Sequence, residues 1–140
     1  MAALRWDVLA VIAAGGALGS LARHGVAEAL PHPRGGFAVS TLLANVSGCL
    51  LIGVLMVAIT QAAQPHRLLR PFLGIGVLGG FTTFSTYVLD GVESALAGRF
   101  GVALLYTAGS VLASLAAVIL GMLGARALLR RNVGRRAGGA

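Results

Sequence analysis

Four apolar runs dominate this chain, approximately Val8 to Leu30, Phe37 to Gln61, Leu73 to Leu96 and Val102 to Leu129. Each reaches the ~20 residues that an α-helix needs to cross the hydrocarbon core of a bilayer. The sequence therefore predicts an all-α integral membrane protein of four transmembrane helices joined by short loops. Consecutive spans must run antiparallel, which puts both chain ends on one side. Composition agrees with this. Of 140 residues, 57% are hydrophobic and 11% charged, too little polar surface for a soluble domain of this size. A secretory signal peptide is a poor reading of the first run, which is longer than an h-region and is followed by three more spans. The lone Cys49 lies deep in the second span with no intramolecular partner for a disulfide.

The net charge of +7 comes from eleven basic residues, all arginine. Nucleic acid is a poor partner for them, because Arg126, Arg130, Arg131, Arg135 and Arg136 have no stacking aromatics or binding motif beside them. Enrichment of loops and tails in arginine is ordinary in membrane proteins. Within the helical core, Arg5, Arg67 and Arg70 fall on one side and Arg23, Arg34 and Arg99 on the other. Such a balance lets a chain insert in both orientations and pair antiparallel, whereas the tail arginines favour both ends inside. Two units follow: a four-helix domain over 1–129 and a basic tail over 130–140. The tail's Arg, Gly and Ala cannot bury a core, so disorder is expected there, with its cations near anionic lipid headgroups.

Small residues recur four apart at Gly15 and Gly19, Ala44 and Gly48, Gly76 and Gly80, and Gly121 and Ala125. Such pairs let helix backbones approach closely and together predict a tightly packed oligomer. Polar residues inside the spans carry more functional information. The second span holds Ser40, Thr41, Asn45 and Ser47, and the fourth holds Tyr106, Ser110 and Ser114 at intervals of four. Most membrane hydroxyls return to their own i−4 carbonyl. Asn45 is different, because its amide is poorly satisfied within a helix and calls for an interhelical partner or a ligand.

The third span is interrupted by Gly79-Gly80-Phe81-Thr82-Thr83-Phe84-Ser85-Thr86-Tyr87. Irregular backbone and polar groups persist at bilayer depth only beside protein or a polar cavity, so this segment is the expected functional centre. No acidic residue lies in the middle of a span, Asp90 and Glu93 being toward the end of the third. That disfavours a proton-coupled exporter, which places an ionisable group near its substrate. His24, His32 and His66 lack metal-ligand spacing, and no nucleophile–base constellation appears, so an enzyme is not expected. Hydroxyls, an amide and aromatic edges, without fixed negative charge, suit a small anion or polar solute.

Three motifs resemble those of the CrcB/Fluc fluoride-channel family: Gly15 to Arg23 in the first span, Ser40 to Gly48 in the second and Gly79 to Tyr87 in the third. They occur in the family's order, and the resemblance covers the chain up to the basic tail. It implies a bacterial inner-membrane channel that exports fluoride passively. It also implies an antiparallel, dual-topology homodimer with two pores. On the same resemblance Asn45 donates its amide to the ion, and Phe84 and Tyr87 stand at the positions of two pore phenylalanines. Tyr106, Ser110 and Ser114 match a polar track, with Ser40 and Thr41 near its entrance. The third helix is implied to break near Gly79, its carbonyls at Gly79 and Thr82 holding one structural sodium ion per dimer. Arg23 is the one charge that enters the first span, as a snorkelling, buttressing or vestibule residue. Two other classes stay open: a dual-topology proton-coupled exporter, and a non-transporting membrane assembly subunit.

Overall fold

The structure, a computed structural model, describes residues 5–62 and 64–137. Helix α1 spans Trp6–Ala29 and α2 spans Val39–Gln61. The third span, Arg70–Leu96, is built from three pieces: α3 (Arg70–Leu78), wound as a π-helix, then α4 (Gly79–Phe81) and α5 (Ser85–Leu96). The chain closes with α6, Phe100–Ala137. Among the described residues four stretches are long and apolar enough to cross a membrane, as the apolar runs require: Trp6–Ala29, Val39–Gln61, Arg70–Leu96 and Phe100–Arg130. At 38 residues α6 is nearly twice the ~20 that a bilayer needs, and it continues into the segment set apart as a tail. Residues 138–140 of that tail lie outside the described residues.

Helices pair out of sequence order, α1 against the third span and α2 against α6. Glycine decides both pairings. A Cβ on Gly76 would sit 2.9 Å from the Gly15 Cα, and one on Gly15 only 3.0 Å from the Gly76 Cα, so these two backbones touch. Gly19 lies against the Val77 carbonyl, and Gly80 against that of Gly16. In the other pair Gly53 meets the Val118 carbonyl and Gly121 that of Leu50. The small-residue pairs read as oligomer contacts therefore find their partners within one chain, and they carry no argument for a second copy. A motif of this kind records how close two backbones come but not whose they are.

Charged groups tie the loops at opposite ends of the bundle. Arg67 Nη2 meets Asp7 Oδ2 at 2.7 Å, holding the α2–α3 connection to the start of α1. At the other end Arg99 Nη1 donates to the Gly35 carbonyl at 3.1 Å, joining the α5–α6 turn to the α1–α2 loop. Gly35 there adopts φ 69°, a left-handed turn that glycine permits without strain.

Candidate functional site

Helical geometry lapses between α4 and α5, where Thr82 turns to extended backbone at φ −78° and ψ 154°. Four side chains from the flanking helices and the segment itself accept or donate the hydrogen bonds this releases. The Thr83 N–H, which a continuous helix would give to the Gly79 carbonyl, goes instead to Asn45 Oδ1 at 2.8 Å. Asn45 Nδ2 donates in return to the Thr83 carbonyl at 2.9 Å. This reciprocal pair fixes the orientation of the amide, since only one face of it matches both backbone groups. One turn further on, the Thr86 N–H goes to Thr83 Oγ1 at 3.2 Å rather than to the Thr82 carbonyl. Arg23 Nε and Ser20 Oγ both donate to the Gly80 carbonyl, at 3.3 and 3.5 Å. Arg23 thus buttresses the irregular segment from α1.

The consequence for the backbone is specific. Gly79 and Thr82 carbonyls lose their helical donors to Asn45 and Thr83, while those of Gly80 and Thr83 gain side-chain donors. A carbonyl oxygen released in this way is a ligand for a hard cation or a site for water.

Beside the irregular segment lies a cavity of about 300 Å³. Asn45, Thr82, Thr83, Phe84, Tyr87, Ser110 and Ser114 line it, together with Cys49 and apolar residues of α2 and α6. Ser110 is 3% exposed, and its Oγ is a buried polar atom with no hydrogen-bond partner among the described residues. Leaving a buried hydroxyl unpaired costs about 1–3 kcal/mol, which a bound ion or water recovers. One Nδ2 proton of Asn45 is committed to Thr83, and the other remains for the cavity that Asn45 lines.

The aromatic rings continue this lining. Phe84 and Tyr87 have centroids 5.7 Å apart, and Tyr87 leads to Tyr106 at 5.8 Å. The Tyr87 hydroxyl donates to the Thr107 carbonyl at 3.0 Å, so the group that distinguishes it from phenylalanine is engaged with α6. Phe84 is 77% exposed on the surface of the single chain.

The sequence-predicted residues therefore separate into two places. Asn45, Phe84, Tyr87, Ser110 and Ser114 share the cavity with Thr82. Ser40, Thr41 and Tyr106 are buried away from its lining. The Tyr106 hydroxyl donates to Asp90 Oδ2 at 3.1 Å, and Ser40 Oγ lies 3.4 Å from His32 Nδ1. His32 Nε2 is 3.7 Å from the second Asp90 oxygen. Neither Asp90, toward the end of the third span, nor His32, without metal-ligand spacing, stands out in the sequence. A signal was present: Asp90 follows Tyr87 by three residues, which places both on one helical face.

Comparison with known proteins agrees with the geometry. Residues 10–122 match the family model described as CrcB-like protein, Camphor Resistance (CrcB). A protein of Thermobifida fusca (strain YX) is 47% identical over 133 residues, covering 95% of this chain and 98% of the relative. One from Streptomyces coelicolor is 48% identical over 123 residues, 88% of this chain and 80% of the relative. A third, from Paracoccus denitrificans, is 45% identical over 117 residues, 84% of this chain and 93% of the relative. All three are named fluoride-specific ion channels, not enzymes. With a family model spanning all but the ends of the chain and relatives matched over 80% to 98% of their length, this protein belongs to the CrcB-like family.

Proposed function

We propose that the protein is a fluoride-selective passive channel that exports cytoplasmic fluoride and so relieves its toxicity. The buried hydroxyl of Ser110, unpartnered among the described residues, on a residue that lines the cavity together with Asn45 is the observation that carries this reading. Hydroxyl and amide protons offered at membrane depth, without a fixed negative charge in the lining, suit a small hard anion. Ring edges of Phe84 and Tyr87 add positive polarisation at the same place. Hydrogen fluoride crosses lipid neutral and dissociates inside. A negative-inside potential then drives the anion out at ~2.3 kcal/mol per charge per 100 mV, with no coupled proton needed.

The working unit in this reading is an antiparallel, dual-topology homodimer with two pores in a bacterial inner membrane. The exposure of Phe84, a ring assigned to the pathway, supports a second copy over it. The interruption of the third helix belongs to the same proposal. Gly79 is exposed, and its carbonyl and that of Thr82 would hold one structural sodium ion between the copies. That ion supplies positive charge without being transported. Lipid surrounds the remaining apolar surface.

The test is fluoride release from liposomes holding the purified protein, with valinomycin clamping the potential and chloride release as control. Fluoride efflux without chloride efflux and without a proton gradient is expected. Efflux that requires a proton gradient points to an exporter instead, and a folded protein with none to an assembly subunit. In the same assay Phe84→Ile is expected to slow fluoride several-fold, as the positively polarised ring edge is lost. Unchanged efflux in this variant would remove Phe84 from the pathway.

A further inference from the structure

Topology sorts the charge of this chain to one end. The start of α1, the α2–α3 connection and the far end of α6 share that end, which carries Arg5, Arg67, Arg70 and the five arginines of α6. One acid accompanies them, Asp7, and Arg67 engages it at 2.7 Å. The opposite half of the bundle holds Arg23, Arg34 and Arg99 against Glu28, Asp90 and Glu93, so it is formally neutral. The entire net charge of +7 therefore stands at the first end. Arg5, Arg70, Arg126 and Arg130 are exposed there.

Helix α6 carries its cations past the bundle. It runs in the same direction as α2, with Gly121 against the Leu50 carbonyl and Gly53 against that of Val118. Gln61, the last residue of α2, is then level with Leu129 or its neighbours. From there to Ala137 the helix rises a further ~12 Å, at ~1.5 Å per residue. The headgroup layer outside the hydrocarbon is about 5–7 Å deep on each side, so this stretch passes through it and emerges. Arg126 lies one turn before that level, a depth from which an arginine stem reaches the interface.

The spacing of these arginines favours a lipid surface over a protein groove. At 3.6 residues per turn, Arg126, Arg130, Arg131, Arg135 and Arg136 are distributed around the whole helix axis. A helix seated on a partner protein keeps its contacts to one face, whereas a helix ringed by headgroups meets phosphate on every side. No acidic residue occurs anywhere in α6 to pair with them. The basic residues are also all arginine, whose planar fork binds a phosphate through two parallel hydrogen bonds.

We propose that this end of the protein is a collar for anionic phospholipid, in which the α6 arginines, with Arg5 and Arg70 beside them, hold the phosphodiesters of surrounding headgroups. The surface lies outside the cavity and goes beyond the channel reading, so it stands or falls without reference to fluoride.

The lone tryptophan reports on it directly, because Trp6 opens α1 at the same end and is 72% exposed. The full chain is reconstituted in equal mixtures of phosphatidylglycerol and phosphatidylcholine, with one or the other lipid brominated near its headgroup, and Trp6 quenching is compared. Brominated phosphatidylglycerol is expected to associate roughly threefold more strongly than brominated phosphatidylcholine at low salt, somewhat less than one full arginine–lipid contact gives because lipids exchange around the probe. At about 0.5 M salt, where the Debye length falls to roughly 4 Å, the preference should approach one. Combining Arg126→Gln, Arg130→Gln, Arg131→Gln, Arg135→Gln and Arg136→Gln should reduce it at least by half, whereas Arg34→Gln at the neutral end should leave it unchanged. Inorganic phosphate should weaken the preference only as much as chloride of the same ionic strength. Equal quenching by the two lipids in wild type overturns the proposal and leaves the collar to a soluble acidic partner. A preference that persists at high salt or in the combined glutamine variant overturns it too, and loss of the preference to phosphate beyond the ionic-strength effect assigns the arginines to the free anion instead.

Discussion

Asn45→Asp is expected to reduce fluoride efflux on the order of 100-fold or more while the protein still elutes as the wild-type species. The substitution is nearly isosteric, and a carboxylate still accepts the Thr83 N–H that Asn45 Oδ1 accepts at 2.8 Å. It cannot return the bond that Nδ2 makes to the Thr83 carbonyl at 2.9 Å, so two oxygens are left facing one another. An unsatisfied buried acceptor costs about 1–3 kcal/mol, and each 1.4 kcal/mol is a factor of ten. A second effect acts on the ion. A unit negative charge on a residue lining the cavity opposes an anion at about 6 Å by roughly 3 kcal/mol at an effective dielectric of about 20. Liposome efflux beside size-exclusion chromatography reads the two effects separately. Wild-type efflux from the aspartate variant would show that Asn45 neither braces the interruption nor faces the ion.

Gly19→Val is expected to lower the melting temperature in detergent by about 10 °C or to prevent accumulation of folded protein. A Cβ at this position would fall on the Val77 carbonyl oxygen and lie 2.9 Å from the Phe81 nitrogen. Both obstructions are backbone, so no rotamer change relieves them. Separating α1 from the third span would also strain the Arg23 bond to the Gly80 carbonyl, which depends on the same close approach. Overpacking of this kind costs roughly 1–3 kcal/mol even where side chains can move. Gly25→Ala is the control, because nothing lies within 4 Å of its added methyl. It should be neutral or gain a few tenths of a kcal/mol, up to ~1, from helix propensity. Equal melting temperatures for Gly19→Val and wild type would show that the α1 contact is not close-packed.

Asn45 shows where reading the sequence succeeds and where it stops. An amide at membrane depth needs a partner from outside its own helix, and that demand is visible in one residue. Its identity is not, because Thr83 is 38 positions away and presents free backbone only where the third span is interrupted. The small-residue pairs stop at the same point. Gly15 and Gly19 announce close backbone contact, but their match to Gly76 and Gly80 inside the same chain depends on how the helices are arranged. Tyr106 is a third instance: its spacing from Ser110 and Ser114 put it on their stripe, whereas its hydroxyl turns to Asp90 and leaves the cavity to the two serines.

The sequence by itself determined the four spans, the glycine and polar residues placed within the third of them, and the residue types available to an anion. These follow from hydrophobic length and local chemistry, which need no knowledge of neighbours. Only the tertiary structure decided that Asn45 braces Thr83, that Ser110 is buried without a partner among the described residues, and that His32 stands beside Asp90. Each of those depends on groups distant in the chain being packed within hydrogen-bonding or electrostatic reach. No periodicity along a single helix encodes that distance.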